Sequence, residues 1–166
     1  MTAFDEIVSL LLARKESVAT AESCTGGLVG AAFTDVPGVS GCYPGGLISY
    51  ANEVKNRELG VSWDILNTVG AVSEDCAAAM AEGARRHFGT DWSVVTTGIA
   101  GPGGGTPTKP VGLVFIAAAG PDGVTVLRNL FQGDRAAVRA QTVAKAGELL
   151  LAKIRKQKTH HEEPGI

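Results

Sequence analysis

The chain has 166 residues, a net charge of −2, 45% hydrophobic residues and only 5% aromatic ones. That length predicts one domain, and its core must be built from Ala, Val, Leu and Ile, which suits helices packed on a sheet. No basic excess exists to neutralise a duplex, which argues against a general nucleic-acid binder, and no segment reaches the roughly 18 apolar residues of a bilayer-spanning helix.

Residues 4 to 15 place Phe4, Ile7, Val8, Leu10, Leu11 and Leu12 at helical spacing. Ser17 to Ala21 reads as a first strand. Thr25 to Asp35 reads as a helix stopped by Val36-Pro37-Gly38, and Gly41 to Tyr50 as a second strand. Asn52 is predicted to cap a short helix through Leu59, with Gly60 just past its end. Trp63 to Leu66 reads as one turn. Ser73 caps a long helix whose alanine-rich stretch, Cys76 to His87, is closed by Gly89. Trp92 to Thr97 is a third strand, Gly98 to Pro110 an irregular loop, and Val111 to Ala119 a buried central strand. Gly120-Pro121-Asp122-Gly123 turns the chain into a hairpin partner, Val124 to Phe131. Asp134 caps a last helix through about Ile154. Helices alternating with strands, plus one hairpin, predict an α/β fold with a mixed sheet in one domain over 1–155. The tail over 156–166 is polar and expected to be disordered. The alanine-rich helix and the last helix read equally as core or as a homodimer or higher homo-oligomer face.

Cys24, Cys42 and Cys76 show no metal-ligand spacing. Their odd number and the lack of a signal peptide predict a reducing cytoplasm. His87 is the one histidine inside the domain, at a helix end. This argues against a Ser-His-Asp triad and against a histidine-built metal site.

Four segments carry chemistry. Ala21-Glu22-Ser23-Cys24-Thr25-Gly26-Gly27 forms a strand-to-helix corner holding two hydroxyls and a thiol. Such a corner presents backbone N–H groups at the positive end of a helix, where an anion or a developing oxyanion sits. A tight turn with Ser23 or Thr25 as N-cap is the plainer reading. Ser49-Tyr50-Ala51-Asn52-Glu53-Val54-Lys55 puts a lysine in a first helical turn, against the helix dipole. The cationic end and burial both lower an ammonium pKa, and a neutral lysine deprotonates a serine; a solvated surface lysine is the alternative. The loop from Thr96 to Thr106, with glycines at 98, 101, 103, 104 and 105, fits neither a P-loop nor a dinucleotide fingerprint, yet its length favours function. Gly133-Asp134-Arg135 opens the last helix with Arg139 one turn on, where an arginine clamps a phosphate or carboxylate, or pairs with a surface acid.

Together with Gly-Ala-Val-Ser-Glu at 70–74, Thr-Gly-Ile-Ala-Gly-Pro-Gly-Gly-Gly at 97–105, Lys-Pro-Val-Gly at 109–112 and Gly-Asp-Arg at 133–135, these stretches resemble, in order, the C-terminal domain of the CinA (competence/damage-inducible) family. The likeness spans residues 5–152. It implies a three-layer α/β/α sandwich and a nicotinamide-nucleotide amidase, an enzyme converting nicotinamide mononucleotide to nicotinic acid mononucleotide and ammonia. Ser23 would be the nucleophile, Lys55 its base, and Tyr50 would orient the lysine. Cys24, Thr25, Gly26 and Gly27 would line the oxyanion and substrate site. Thr97, Gly101, Gly103, Gly104, Gly105, Thr106 and Arg135 would hold the ribose phosphate. No metal or cofactor enters the scheme, and the partner is a small phosphorylated pyridine nucleotide. Cys24 is the competing nucleophile, since a thiolate is intrinsically stronger, but it ranks second to Ser23 because no histidine lies near it in sequence to pair with it. Ala51 departs from the family, which usually carries a serine there. The rival reading is a nucleotide-binding or regulatory module that keeps the pocket without turnover.

Overall fold

The computed structural model describes residues 1–157. Five strands form one sheet: β1 Val18–Glu22, β2 Gly45–Ile48, β3 Trp92–Gly98, β4 Leu113–Gly120 and β5 Gly123–Leu130. Their order is β2-β1-β3-β4-β5. β1 is parallel to both neighbours, while β4 runs antiparallel to β3 and to β5, so the sheet is mixed. Every residue of β1 and β4 is buried, as a strand covered on both faces requires.

Six helices cover the sheet: α1 Ala3–Arg14, α2 Leu28–Thr34, α3 Asn52–Leu59, α4 Trp63–Thr68, α5 Glu74–Phe88 and α6 Arg135–Lys156. Strand alternation divides the core in two. Val18, Val94, Val114, Ile116 and Ala118 meet α1, α2 and α6. Ala21, Val95, Leu113, Phe115, Ala117 and Ala119 meet α3, α4 and α5. The architecture is the three-layer α/β/α sandwich. Ala77, Met80, Ala81 and Ala84 of α5, and Val138, Ala146, Leu150 and Ile154 of α6, are buried in these cores. The two helices that read equally as core or as an oligomer face are therefore core along those stripes. No helix among the described residues is long and apolar enough to cross a membrane.

The chain leaves β1 for β2 on one side and reaches β3 on the other. β1 is thus the topological switch point, where open α/β sheets place ligands beyond the strand carboxyl ends. The residue after β1 is Ser23.

Most boundaries shift by one or two residues from the sequence reading, and four differences bear on the local chemistry. α2 starts at Leu28 rather than Thr25, because Gly26 and Gly27 take φ of +57° and +109° and break the helical path. β2 shortens to Gly45–Ile48, since Val39–Gly41 forms a 3-10 turn. Asn52 is not the cap of α3 but its first helical residue; Ala51 stands at the cap with no side-chain hydrogen bond. α6 runs to Lys156, so the expected disordered tail loses its first residue, and from residue 158 on it lies outside the described residues.

Gly83 on α5 lies directly under α3, and a Cβ there would collide with the Leu59 carbonyl oxygen. This close approach brings the end of α3 against the backbone of α5. Gly83→Ala is expected to lower stability by about 1–3 kcal/mol through overpacking, despite alanine's better helix propensity, and to appear as a lower urea midpoint at unchanged m.

Candidate active site

Glu22 and Ser23 are consecutive and point to opposite faces of the sheet. Glu22 is 2% exposed and faces α2. Its Oε1 accepts from Thr25 Oγ1 at 2.6 Å and from the Val29 amide at 2.7 Å, and its Oε2 accepts from the Gly30 amide at 3.1 Å. The helix-end amides expected to await an external anion are thus taken by the protein's own carboxyl. The amides of Cys24, Thr25 and Gly27 carry no backbone acceptor among the described residues. Any oxyanion donors therefore come from the corner, not from α2 proper.

Ser23 is anchored through its own amide, which donates to the Thr96 carbonyl at 3.0 Å. Its hydroxyl meets Lys55, which is 1% exposed. Lys55 Nζ lies 3.2 Å from Ser23 Oγ, 2.7 Å from the Ser49 carbonyl oxygen and 3.0 Å from the Tyr50 carbonyl oxygen. Burial holds the ammonium below its ordinary range, partly offset by the nearby Cys76 and Cys24 thiols. A neutral amine has two N–H bonds and one lone pair. With the two carbonyls accepting both of its N–H bonds, a neutral amine here would keep its lone pair for the Ser23 hydroxyl, an arrangement suited to proton transfer between them.

Tyr50 was expected to orient or buffer the lysine. The residue is 64% exposed, and it meets Lys55 through its main-chain carbonyl. Cys24 is buried, and burial pushes its thiol up to about 11 against the opposing pull of the Thr96 hydroxyl. It stays a thiol near neutrality, where its nucleophilicity is weak. Burial likewise pushes the Cys76 thiol up to about 11, opposed by Lys55 and Lys109.

The rest of the corner is scaffold. Thr25 is fully buried between Glu22 and Thr96, 2.8 Å from the Thr96 hydroxyl. Arg139 on α6 donates from Nε to the Cys24 carbonyl at 3.1 Å and from Nη2 to the Thr25 carbonyl at 3.2 Å. Gly26 passes beside that guanidinium. Thr97 donates to the Ala71 carbonyl at 2.9 Å. Arg135 Nη1 donates to the Gly101 carbonyl at 2.8 Å, in a cleft of about 670 Å³ that Arg139 and Pro102 also line. Gly103, Gly104 and Gly105 are exposed, and Thr106 bonds within its own turn, accepting from the Lys109 amide at 3.0 Å. The structure thus joins Ser23, Lys55 and the Tyr50 carbonyl. It uses Thr25, Thr97 and Arg135 as ties and leaves the glycines at 103–105 outside that set.

Sequence reasoning gave no role to Glu22 or to Arg139. An acid ending an apolar strand run was the available signal for Glu22. Arg139, four residues beyond Arg135, shares its helix face, which was the signal for a second tie.

Two outcomes follow from this geometry. The folded state disfavours a charged Lys55, so the unfolded chain binds the extra proton between the lowered folded value and the ordinary 10.5. The cost of burying the amine is fully present below that window and fades as pH rises through it. The stability difference between Lys55→Met and the parent, from denaturant melts, should therefore shift in favour of the parent as pH rises from neutral into the alkaline range. Ala51→Ser supplies the missing acceptor at the start of α3, and should raise stability by about 1 kcal/mol in the same melts.

The comparisons with known proteins agree on one family. The profile of the CinA C-terminal domain matches residues 2–154. A CinA-like protein of Anaeromyxobacter dehalogenans is 50% identical over 151 residues, covering 91% of this chain and 37% of its own length. A putative competence-damage inducible protein of Clostridium beijerinckii is 48% identical over 147 residues, covering 88% of this chain and 36% of its own length. The chain therefore spans little more than a third of these curated relatives. Among solved structures, a competence-damaged protein (CinA) superfamily protein of Klebsiella pneumoniae superposes with a TM-score of 0.89 at 33% identity, covering 93% of this chain and 97% of that one. The competence/damage inducible protein CihA of Agrobacterium tumefaciens gives 0.85 at 37% identity with the same coverages. The chain belongs to the CinA C-terminal domain family.

Proposed function

We propose that this chain is an amidohydrolase that removes the carboxamide nitrogen of nicotinamide mononucleotide as ammonia, leaving nicotinic acid mononucleotide. The observation that carries the reading is the buried Lys55 amine 3.2 Å from Ser23 Oγ, with two carbonyls as its other neighbours. Lys55 Nζ takes the Ser23 hydroxyl proton as Oγ bonds to the amide carbon. The carbonyl oxygen becomes an oxyanion held by corner amides, each worth about 3–4 kcal/mol in known acyl-transfer sites. The C–N bond then breaks while Lys55 returns the proton to the departing nitrogen, which leaves as ammonia. A water attacks the nicotinoyl ester, Lys55 takes its proton, and Ser23 Oγ leaves with that proton restored. The raised Cys24 thiol favours the hydroxyl over the sulfur as nucleophile. The cytoplasm, where pyridine nucleotides are salvaged, is the matching compartment.

Ammonia release from nicotinamide mononucleotide by the purified chain is the test. Turnover by the parent is expected, with a loss of about 10²–10⁴-fold in Lys55→Met, at least as large a loss in Ser23→Ala, and retained activity in Cys24→Ala. Because the base is the neutral lysine, kcat/KM should climb with pH through the lowered Lys55 value and then level off. Nucleotide binding without ammonia would return the chain to the class of non-catalytic binding modules, and undiminished turnover in Ser23→Ala would remove the mechanism.

A further inference from the structure

A hydrogen-bonded relay runs from α6 into the corner that holds Ser23. Arg139 Nη2 donates to the Thr25 carbonyl at 3.2 Å, and its Nε donates to the Cys24 carbonyl at 3.1 Å. The Thr25 carbonyl shares a peptide group with the Gly26 amide. That amide donates to the Ser23 carbonyl at 3.1 Å. The Ser23 carbonyl in turn shares a peptide group with the Cys24 amide. The relay therefore crosses two peptide groups and ends on the Cys24 N–H, which carries no backbone acceptor among the described residues.

The guanidinium at its head is half-buried, and no carboxylate pairs with it among the described residues. Its charge thus acts undivided on the two carbonyls. A cation on a carbonyl oxygen draws electrons through the peptide and makes the N–H at the other end a stronger donor, and hydrogen bonds in a chain polarise one another. In a trans peptide the N–H points away from the C=O, so a grip on the oxygens from α6 turns the amides that follow away from α6. At the strand-to-helix corner of other serine hydrolases, the residue after the nucleophile gives its amide to the oxyanion. Cys24 stands at that place here. Thr25 is fully buried, which closes its own amide to a ligand, whereas Ser23 and Cys24 keep 8% and 5% exposure. Arg135 lies outside the relay, since it holds the Gly101 carbonyl of the loop after β3.

We propose that Arg139 is a positioning residue of the reaction: through the Thr25–Gly26 and Ser23–Cys24 peptide groups it aims and strengthens the Cys24 amide as the oxyanion donor beside Ser23. This rests on the amidase reading and names the side chain that sets the donor from behind the main chain.

The experiment compares ammonia release from nicotinamide mononucleotide with that from its thioamide analogue, whose sulfur accepts hydrogen bonds poorly. Arg139→Gln is expected to lower kcat on the amide about 10–100-fold, short of the roughly 10²–10³-fold for losing a whole oxyanion donor, with KM nearly unchanged. On the thioamide kcat should fall much less, so the preference for oxygen over sulfur narrows. A merely loosened corner would slow both substrates alike. Arg139→Lys keeps the charge and should restore part of kcat and of the preference. Lys145→Gln removes a charge from an exposed part of the same helix and should leave kcat, KM and the preference as in the parent. Circular dichroism melts check folding. If Arg139→Gln does not fold, the preference is read in Arg139→Lys, where an intermediate narrowing supports the relay and a parent-like value overturns it. In folded Arg139→Gln, a parent-like kcat, a loss confined to KM or equal losses on both substrates overturns it, as does the same narrowing in Lys145→Gln. A pyridine boronic acid separates the relay from the amidase reading: Ser23 Oγ bonds to boron as its proton passes to Lys55, and the tetrahedral adduct forms without amide cleavage. If the parent releases no ammonia but shows the adduct by boron NMR, and Ser23→Ala does not, the substrate assignment fails. A weaker adduct in Arg139→Gln then upholds the relay, and equal affinities sink it. A parent with neither ammonia release nor adduct sinks both.

Discussion

A single buried amine organises the functional end of this molecule. Lys55 Nζ has a serine hydroxyl and two main-chain carbonyls within hydrogen-bond reach, and burial disfavours its charge. Because the two carbonyls belong to Ser49 and Tyr50, the amine reads the exact path of the chain between β2 and α3. A shift of α3 would change its acidity and its distance to Ser23 together. The bare contact between Gly83 and Leu59 therefore matters to chemistry as well as to packing.

The sheet keeps the charges of the site apart. Alternation sends Glu22 to the α2 side, where it accepts from two helix amides and a hydroxyl, and sends Ser23 to the α3 side, where it meets the lysine. The acid next in sequence to Ser23 thus stabilises the helix without pairing with the Lys55 amine and holding it charged. Arg139 completes the corner from a third direction by gripping two of its carbonyls. In a trans peptide each N–H points away from the preceding C=O, so holding those oxygens also orients the amides that follow them.

The glycine-rich loop divides the functions suggested by its composition. Gly101 is tied to α6 through Arg135, while Lys109 ties the far end of the loop to the carboxyl end of α4. The glycines between stay exposed. Length and glycine content flagged a functional segment, but they did not separate the anchored ends from the open middle.

Much of the fold was legible locally. Local pattern located five of the six helices and the five strands of the described residues, with Trp63–Thr68 read only as a turn, and Ser73, Gly60, Gly89 and Asp134 marked helix ends where capping chemistry demands them. Ser23 and Lys55 were legible as residue types at a strand-to-helix corner and a first helical turn. The Asn52 cap failed because asparagine is a good cap by type, whereas the register of α3 put Ala51 at that position. Tyr50 meets Lys55 through its main-chain carbonyl, a group that every residue possesses and that residue type therefore does not reveal. The chain alone thus determined most of the elements that form and which chemically capable side chains stand at their ends, since periodicity and side-chain type are properties of short segments. Only the tertiary structure decided that residues 23 and 55 touch and that Glu22 closes its own helix end. Those facts depend on strand order, register and face, which arise when distant segments pair.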